Sequence, residues 1–190
     1  MEYTSLTIDQ VRAELDKVVA DVRATFGQLD VRQLNWKADA ARWSVAQCLE
    51  HLVNSNREMC GAIRRAADPA QSKTIWQRLP ILPGLYGRLM ITSLTPTNTR
   101  RLRAPRTARP SASEIDAGIV ERFADGQQEV LALVRTLAGR DPAHLVMVSP
   151  FVRFITYSVL DAFRLIAAHE RRHFEQARRV MGTDLFSTGT

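Results

Sequence analysis

Lysine and cysteine are scarce in this chain, and long apolar runs are missing altogether. Only Lys17, Lys37 and Lys73 are lysines, so the positive side of the formal net charge of +6 is almost entirely arginine. The arginines are scattered rather than striped, which reads as solvated helix faces more than as a nucleic-acid tract. No stretch approaches the roughly 20 apolar residues that a membrane span needs. Met1 to Gln10 is polar and excludes a secretory leader there. Neither export nor membrane insertion is expected. The only cysteines, Cys48 and Cys60, fall on one helical segment. About 18 Å of helix rise separates them, whereas a disulfide needs Cα atoms within about 7 Å. Reduced thiols fit a cytoplasmic setting.

What is present reads as one domain over residues 1–190, long enough to bury a core without staples. Four segments carry apolar stripes of helical period. The first runs from about Thr7 to Phe26, with Val11, Leu15, Val18, Val22 and Phe26 on one side, and Gly27 ends it. The second runs from about Val45 to Ala67, opened by a Ser44/Gln47 capping box and carrying Leu49, Leu52, Asn56, Met59 and Ile63 in its stripe. The third runs from about Ala112 to Ala138, with Ser111 and Glu114 as a second capping box. The fourth runs from about Ser158 to Met181, with Ser158 as N-cap and Gly182 after its end. Residues 69–110 and 140–156 are long connections, and Ile75 to Leu94 is apolar enough for short helices. No alternating strand pattern of useful length occurs. The expected fold class is all-α, a four-helix bundle with long crossover connections.

Histidine is as rare as it is pointed. There are four: His51, His144, His169 and His173. His169 and His173 share one side of the fourth segment, because residues four apart on a helix are neighbours. Both lie on or beside its inward stripe with Ile166 and Ala177, and His51 sits among Leu49, Leu52 and Val53. One inward histidine is ordinarily a satisfied core residue. Three of them are costly to bury without a shared purpose, and facing helices of a bundle are where metal sites are built. Three histidines form the ligand set of an open zinc site and also suit nickel or iron. Cys48, one turn before His51, reads as a small core residue and, less simply, as a fourth ligand. His144, near Pro142, reads as a surface residue. The string His169-Glu170-Arg171-Arg172-His173 matches the H-E-x-x-H metalloprotease pattern, but little chain follows His173 to supply a third ligand, and Asp184 is the one acidic residue there.

Trp43-Ser44 followed by His51-Leu52 resembles the second-helix signature of the DinB-like (YfiT-like) superfamily of metal-binding bundles, which is distinct from the translesion polymerase sharing the name. Ser149-Pro150, then Ala168-His169-Glu170-Arg171-Arg172-His173 and Gln176, resemble its closing signature. The resemblance spans about Val11 to Met181. It implies a four-helix bundle, often a homodimer, whose His51, His169 and His173 hold zinc or nickel. Glu170, Arg172 and Gln176 match positions that accompany the histidines, and they suit side chains that orient imidazoles or balance charge behind them. The alternative for Glu170 and Arg172 is a pair of solvated charges.

The implied function is a divalent-metal-dependent enzyme acting on a small molecule. A low-molecular-weight-thiol-dependent S-transferase or isomerase is the form that characterised relatives suggest. The segment Trp76, Leu79, Ile81, Leu82, Leu85, Tyr86, Leu89 and Met90 is read as a dimer contact or core lid, with a pocket wall as the other possibility. Arg100, Arg101, Arg103, Arg106 and Arg109 are placed to meet carboxylates of a thiol cosubstrate. The competing function is a non-enzymatic basic bundle, binding nucleic acid or protein, with a structural or vestigial metal site. That arginine stretch is its support, yet it has no aromatic residue on which bases stack.

Overall fold

Helix starts are fixed by reciprocal side-chain caps. Thr7, Asp30 and Ser44 each accept a hydrogen bond from the backbone N–H three residues on, where Gln10, Gln33 and Gln47 return their side-chain oxygens to the cap N–H. Each pair satisfies two donors that a helix start leaves open. They open α1 (Ile8–Phe26), α2 (Val31–Asn35) and α3 (Val45–Ala67). The computed structural model describes residues 1–72, 74–78, 82–98 and 103–182, apart from the side chains of Trp76, Arg78 and Leu82. Among these residues the other helices are α4 (Leu82–Ser93), α5 (Ile119–Leu137) and α6 (Val159–Met181). Ser158 caps α6 by accepting from Asp161 N at 3.0 Å. The expected first, second and fourth segments match α1, α3 and α6, and α4 lies inside the apolar part of the long connection.

The expected third helix starts too early. α5 begins only at Ile119, after Gly118, with no side-chain cap. The backbone before it is committed elsewhere. Ser111 N–H donates to Glu50 at 2.5 Å, and Ser111 C=O accepts from Gln47 Nε2 at 2.8 Å. Asn35 brackets Ile115, accepting from its N–H at 2.9 Å and donating to its C=O at 2.7 Å. Backbone groups held by side chains cannot also build a helical ladder. The Ser111 hydroxyl pairs with Ser113 instead of capping a helix.

A second departure is a short antiparallel ribbon, β1 (Val146–Val148) with β2 (Thr156–Ser158), placing Met147 opposite Tyr157. Three-residue strands are too short to show alternation in a sequence. The ribbon packs beside α3 and α4 and leads directly into α6.

α1 and α3 each pack against both α5 and α6. The four long helices therefore form a square, with α1 diagonal to α3. Their inward stripes make two apolar clusters. One contains Leu15, Met59, Ile63, Val134 and Ile166. The other contains Val22, Phe26, Leu49, Leu52, Phe123 and Phe174. Burying each such side chain contributes roughly 1.5–3 kcal/mol. Between the clusters in sequence, on three helices, stand the buried polar residues Asn56, Gln127 and Glu170. No described helix is long and apolar enough to cross a membrane.

Candidate metal centre

The Ser44 cap sets where α3 begins, and His51 follows in its second turn facing α6. His169 and His173 stand one turn apart on α6. The structure brings these three rings together: one nitrogen from each lies within 4.8 Å of the others. Ring centroids are 4.6–5.0 Å apart. His51 and His173 are buried, whereas His169 is half-buried, so the cluster opens at His169.

The chain orients His51 from behind. Its Nδ1 lies 2.6 Å from the carbonyl oxygen of Ala108, on the short helical turn Arg106–Ala108. A carbonyl only accepts, so Nδ1 carries the proton and Nε2 of the neutral ring presents a lone pair inward. That Nε2 sits 3.2 Å from His169 Nε2. Two imidazoles on one tetrahedral zinc have their nitrogens about 3.3–3.4 Å apart, given bonds of about 2.0–2.1 Å. The donor set and this spacing fit a divalent cation. The buried His173 Nδ1 has no hydrogen-bond partner among the described residues, and packing helps to hold the ring. Trp43 supplies the packing, stacked on His173 at 5.7 Å and tilted against His51 at 4.9 Å.

Electrostatics favour neutral ligands. Burial lowers the pKa of His51, although its bond to Ala108 works the other way. Burial pushes His169 well down, reinforced by His173, His51 and Arg172. His173 is driven well down by burial, then by His51 and Arg172, against a rise from the Gln176 side chain. Neutral imidazoles keep their lone pairs available to a metal without first losing a proton.

The other anticipated residues divide. Glu170 faces away from the rings in its bonding: its two oxygens accept from Asn56 Nδ2 at 2.7 Å and Gln127 Nε2 at 2.8 Å. It is fully buried, not a solvated charge, and burial raises its carboxyl pKa to about 8. Arg172 reaches the end of α4, where Nη1 donates to the carbonyls of Ser93, Thr95 and Asn98. Cys48 is buried in the apolar cluster and stands outside the three-histidine group. His144 is exposed and pairs with Asp141 at 2.6 Å. Leu85 and Leu89 point to solvent, while Met90 packs on the core. Arg103, Arg106 and Arg109 are exposed; Leu79, Ile81, Arg100, Arg101 and Asp184 lie outside the described residues.

A family model described as the DinB superfamily matches residues 7–177. The chain belongs to the DinB superfamily. The match to the DinB superfamily runs from the N-cap of α1 to one turn beyond His173, so it encloses all three histidines. No curated protein and no solved structure matches the chain. Two parts of the site had no role assigned from sequence. The Ala108 carbonyl carries no side-chain signal. Trp43 had one, a tryptophan directly before the Ser44 cap, but its contact with both helices' histidines arises only on folding.

Proposed function

We propose that this DinB superfamily protein holds one divalent cation, zinc or nickel, on His51, His169 and His173, and that it is an enzyme acting on a small molecule. The reaction class we favour is an S-transfer or isomerisation that uses a low-molecular-weight thiol. The observation that carries this reading is the convergence of three neutral imidazole nitrogens from two helices, one with its tautomer set by Ala108. A bound cation of this kind supplies Lewis acidity and lowers the pKa of a coordinating thiol.

The chain's own residues do the rest. Ala108 keeps the His51 lone pair aimed inward. Trp43 covers two of the rings and excludes water from that side. The partly exposed edge of His169 leaves an approach for a ligand. Arg172 adds positive charge felt by His169 and His173, which favours an anionic donor over a neutral one. A homodimer is part of the proposal, with the exposed Leu85 and Leu89 of α4 as its apolar contact.

The test is conjugation of several low-molecular-weight thiols to a chromogenic electrophile, comparing metal-loaded with metal-stripped protein. Acceleration by the loaded form, lost in His169→Ala, is expected. A loaded protein that accelerates none of them would remove the thiol-transferase reading and leave the metal in a structural role.

A further inference from the structure

One side of α3 is given over to the connection that precedes α5. Gln47, Glu50, His51 and Asn54 recur at helical spacing, which places them on one face. Each is bonded to the backbone between residues 108 and 111. His51 Nδ1 donates to the Ala108 carbonyl at 2.6 Å, Asn54 Nδ2 to the Arg109 carbonyl at 3.4 Å, and Gln47 Nε2 to the Ser111 carbonyl at 2.8 Å. Glu50 runs the other way: its carboxylate accepts from the Ser111 N–H at 2.5 Å. That is the one hydrogen bond of the Glu50 side chain among the described residues. A hydrogen bond to a carboxylate is roughly twice as strong as one between neutral groups. The Asn54 contact is long, and Gln47 also returns its oxygen to the Ser44 N–H at the start of α3. Glu50 is therefore the side chain whose bonding serves this connection alone.

The link from Ser111 back to Ala108 is stiff. Arg109 is extended, at φ −68° and ψ 137°, as a residue before proline tends to be. Pro110 has its φ fixed by its ring. With so little backbone freedom between them, the position of Ser111 is passed to the Ala108 carbonyl. That carbonyl decides which nitrogen of His51 holds the proton. Without it a neutral ring could carry the proton on Nε2, where the cation needs a lone pair. Resting on the metal-centre reading above, we propose that Glu50 is a positioning residue for the cation site: by holding Ser111 it keeps the Ala108 carbonyl on His51 Nδ1, and so keeps the Nε2 lone pair of His51 turned toward His169. A carboxylate that only fastened the connection to the bundle would affect stability and leave the tautomer alone.

Two readouts test this, and neither needs turnover. Long-range 1H–15N spectra of metal-free protein at neutral pH report the tautomer of each histidine ring. His51 should be a single Nδ1–H tautomer in the parent, a mixture of both in Glu50→Ala, and again the Nδ1–H form in Glu50→Gln, whose amide oxygen still accepts from Ser111. Zinc affinity, read by competition with a chromophoric chelator, should fall about tenfold in Glu50→Ala, as for loss of a partner behind a metal ligand, and largely return in Glu50→Gln. Arg64→Ala breaks an ion pair to Glu129 further along the same helix and should move neither readout. A ring that stays in one Nδ1–H tautomer in Glu50→Ala, or a zinc affinity equal to the parent's, would overturn the inference while leaving the metal site standing. It falls as well if Arg64→Ala shifts both readouts as far, since the effect is then a general loosening of α3. A parent that takes up no zinc would remove the metal reading, and with it any part for Glu50 in supporting a cation.

Discussion

Glu170 and the histidine next to it in sequence meet opposite electrostatic fates, and both leave a mark on stability. The Glu170 carboxyl is pushed up to about 8 by burial, from an ordinary value of 4.5, against the amide bonds from Asn56 and Gln127. Between those values the folded chain holds a proton that the unfolded chain has lost, so stability falls as pH rises through that window. His51, His169 and His173 are lowered from 6.5. There the unfolded chain binds more protons, so their contribution is present above 6.5 and is lost as pH falls below it. Above pH 6.5 the Glu170 slope stands without opposition from these histidines. Urea unfolding of metal-free protein should therefore show stability declining from pH 6.5 to 8, and Glu170→Gln should flatten that decline. An unchanged slope in the variant would place the titrating group elsewhere. Trp43 offers a second handle at this scale. Its ring lies against His51 and His173, so cobalt or nickel binding should quench tryptophan fluorescence, and Trp43→Phe should lose most of that quench while keeping the metal. Quenching that persists in full would assign it to Trp36 or Trp76.

Individual helices owe their ends to polar side chains and their seating to small ones. Removing the Ser44 cap by Ser44→Ala should cost about 1 kcal/mol, measured by chemical unfolding. Because the same cap sets the start of the helix carrying His51, metal affinity should weaken with it. Gly87 on α4 faces Asp161 on the first turn of α6. A Cβ at Gly87 would stand 2.5 Å from Asp161 Oδ2 and 3.1 Å from Asp161 Cβ. Asp161 cannot swing away freely, since it is mostly buried and bonded to Arg164 at 2.9 Å. Gly87→Ala should thus lift α4 and destabilise by about 1–3 kcal/mol, the usual cost of overpacking. A thermal melt equal to the parent's would show that α4 accommodates the methyl group. α3 and α6 were legible because stripe and cap agree at each start, and α1 because its apolar stripe runs unbroken to Gly27. α5 was misread because Ser111 and Glu114 imitate a capping box, while the real partners of that backbone, Asn35, Gln47 and Glu50, come from elements far away in sequence. Nothing local announces such partners.

Across the whole molecule, the square of four helices puts His51 of α3 opposite His169 and His173 of α6, and that adjacency is what periodicity alone could suggest but not measure. The inward phase of each histidine was readable from Leu49, Leu52, Ile166 and Ala177. The polar layer was half readable: Asn56 stood out as a polar residue in an apolar stripe, yet its partners Gln127 and Glu170 are separated from it by 71 and 114 residues. That layer matters for the site because Glu170 adjoins His169, so its bonds to α3 and α5 resist rotation of the helix that carries two of the rings. The long connection is tied to the same place from outside, by Ala108 on His51 and by Arg172 on residues 93–98. Metal content of tag-free protein, measured by elemental mass spectrometry beside His51→Ala and His169→Ala, tests this account most directly. Near-stoichiometric zinc or nickel in the parent, lost in both variants while their helical content is retained, is the predicted result. A parent that stays metal-free after reloading, or variants that bind as much metal as the parent, would contradict it.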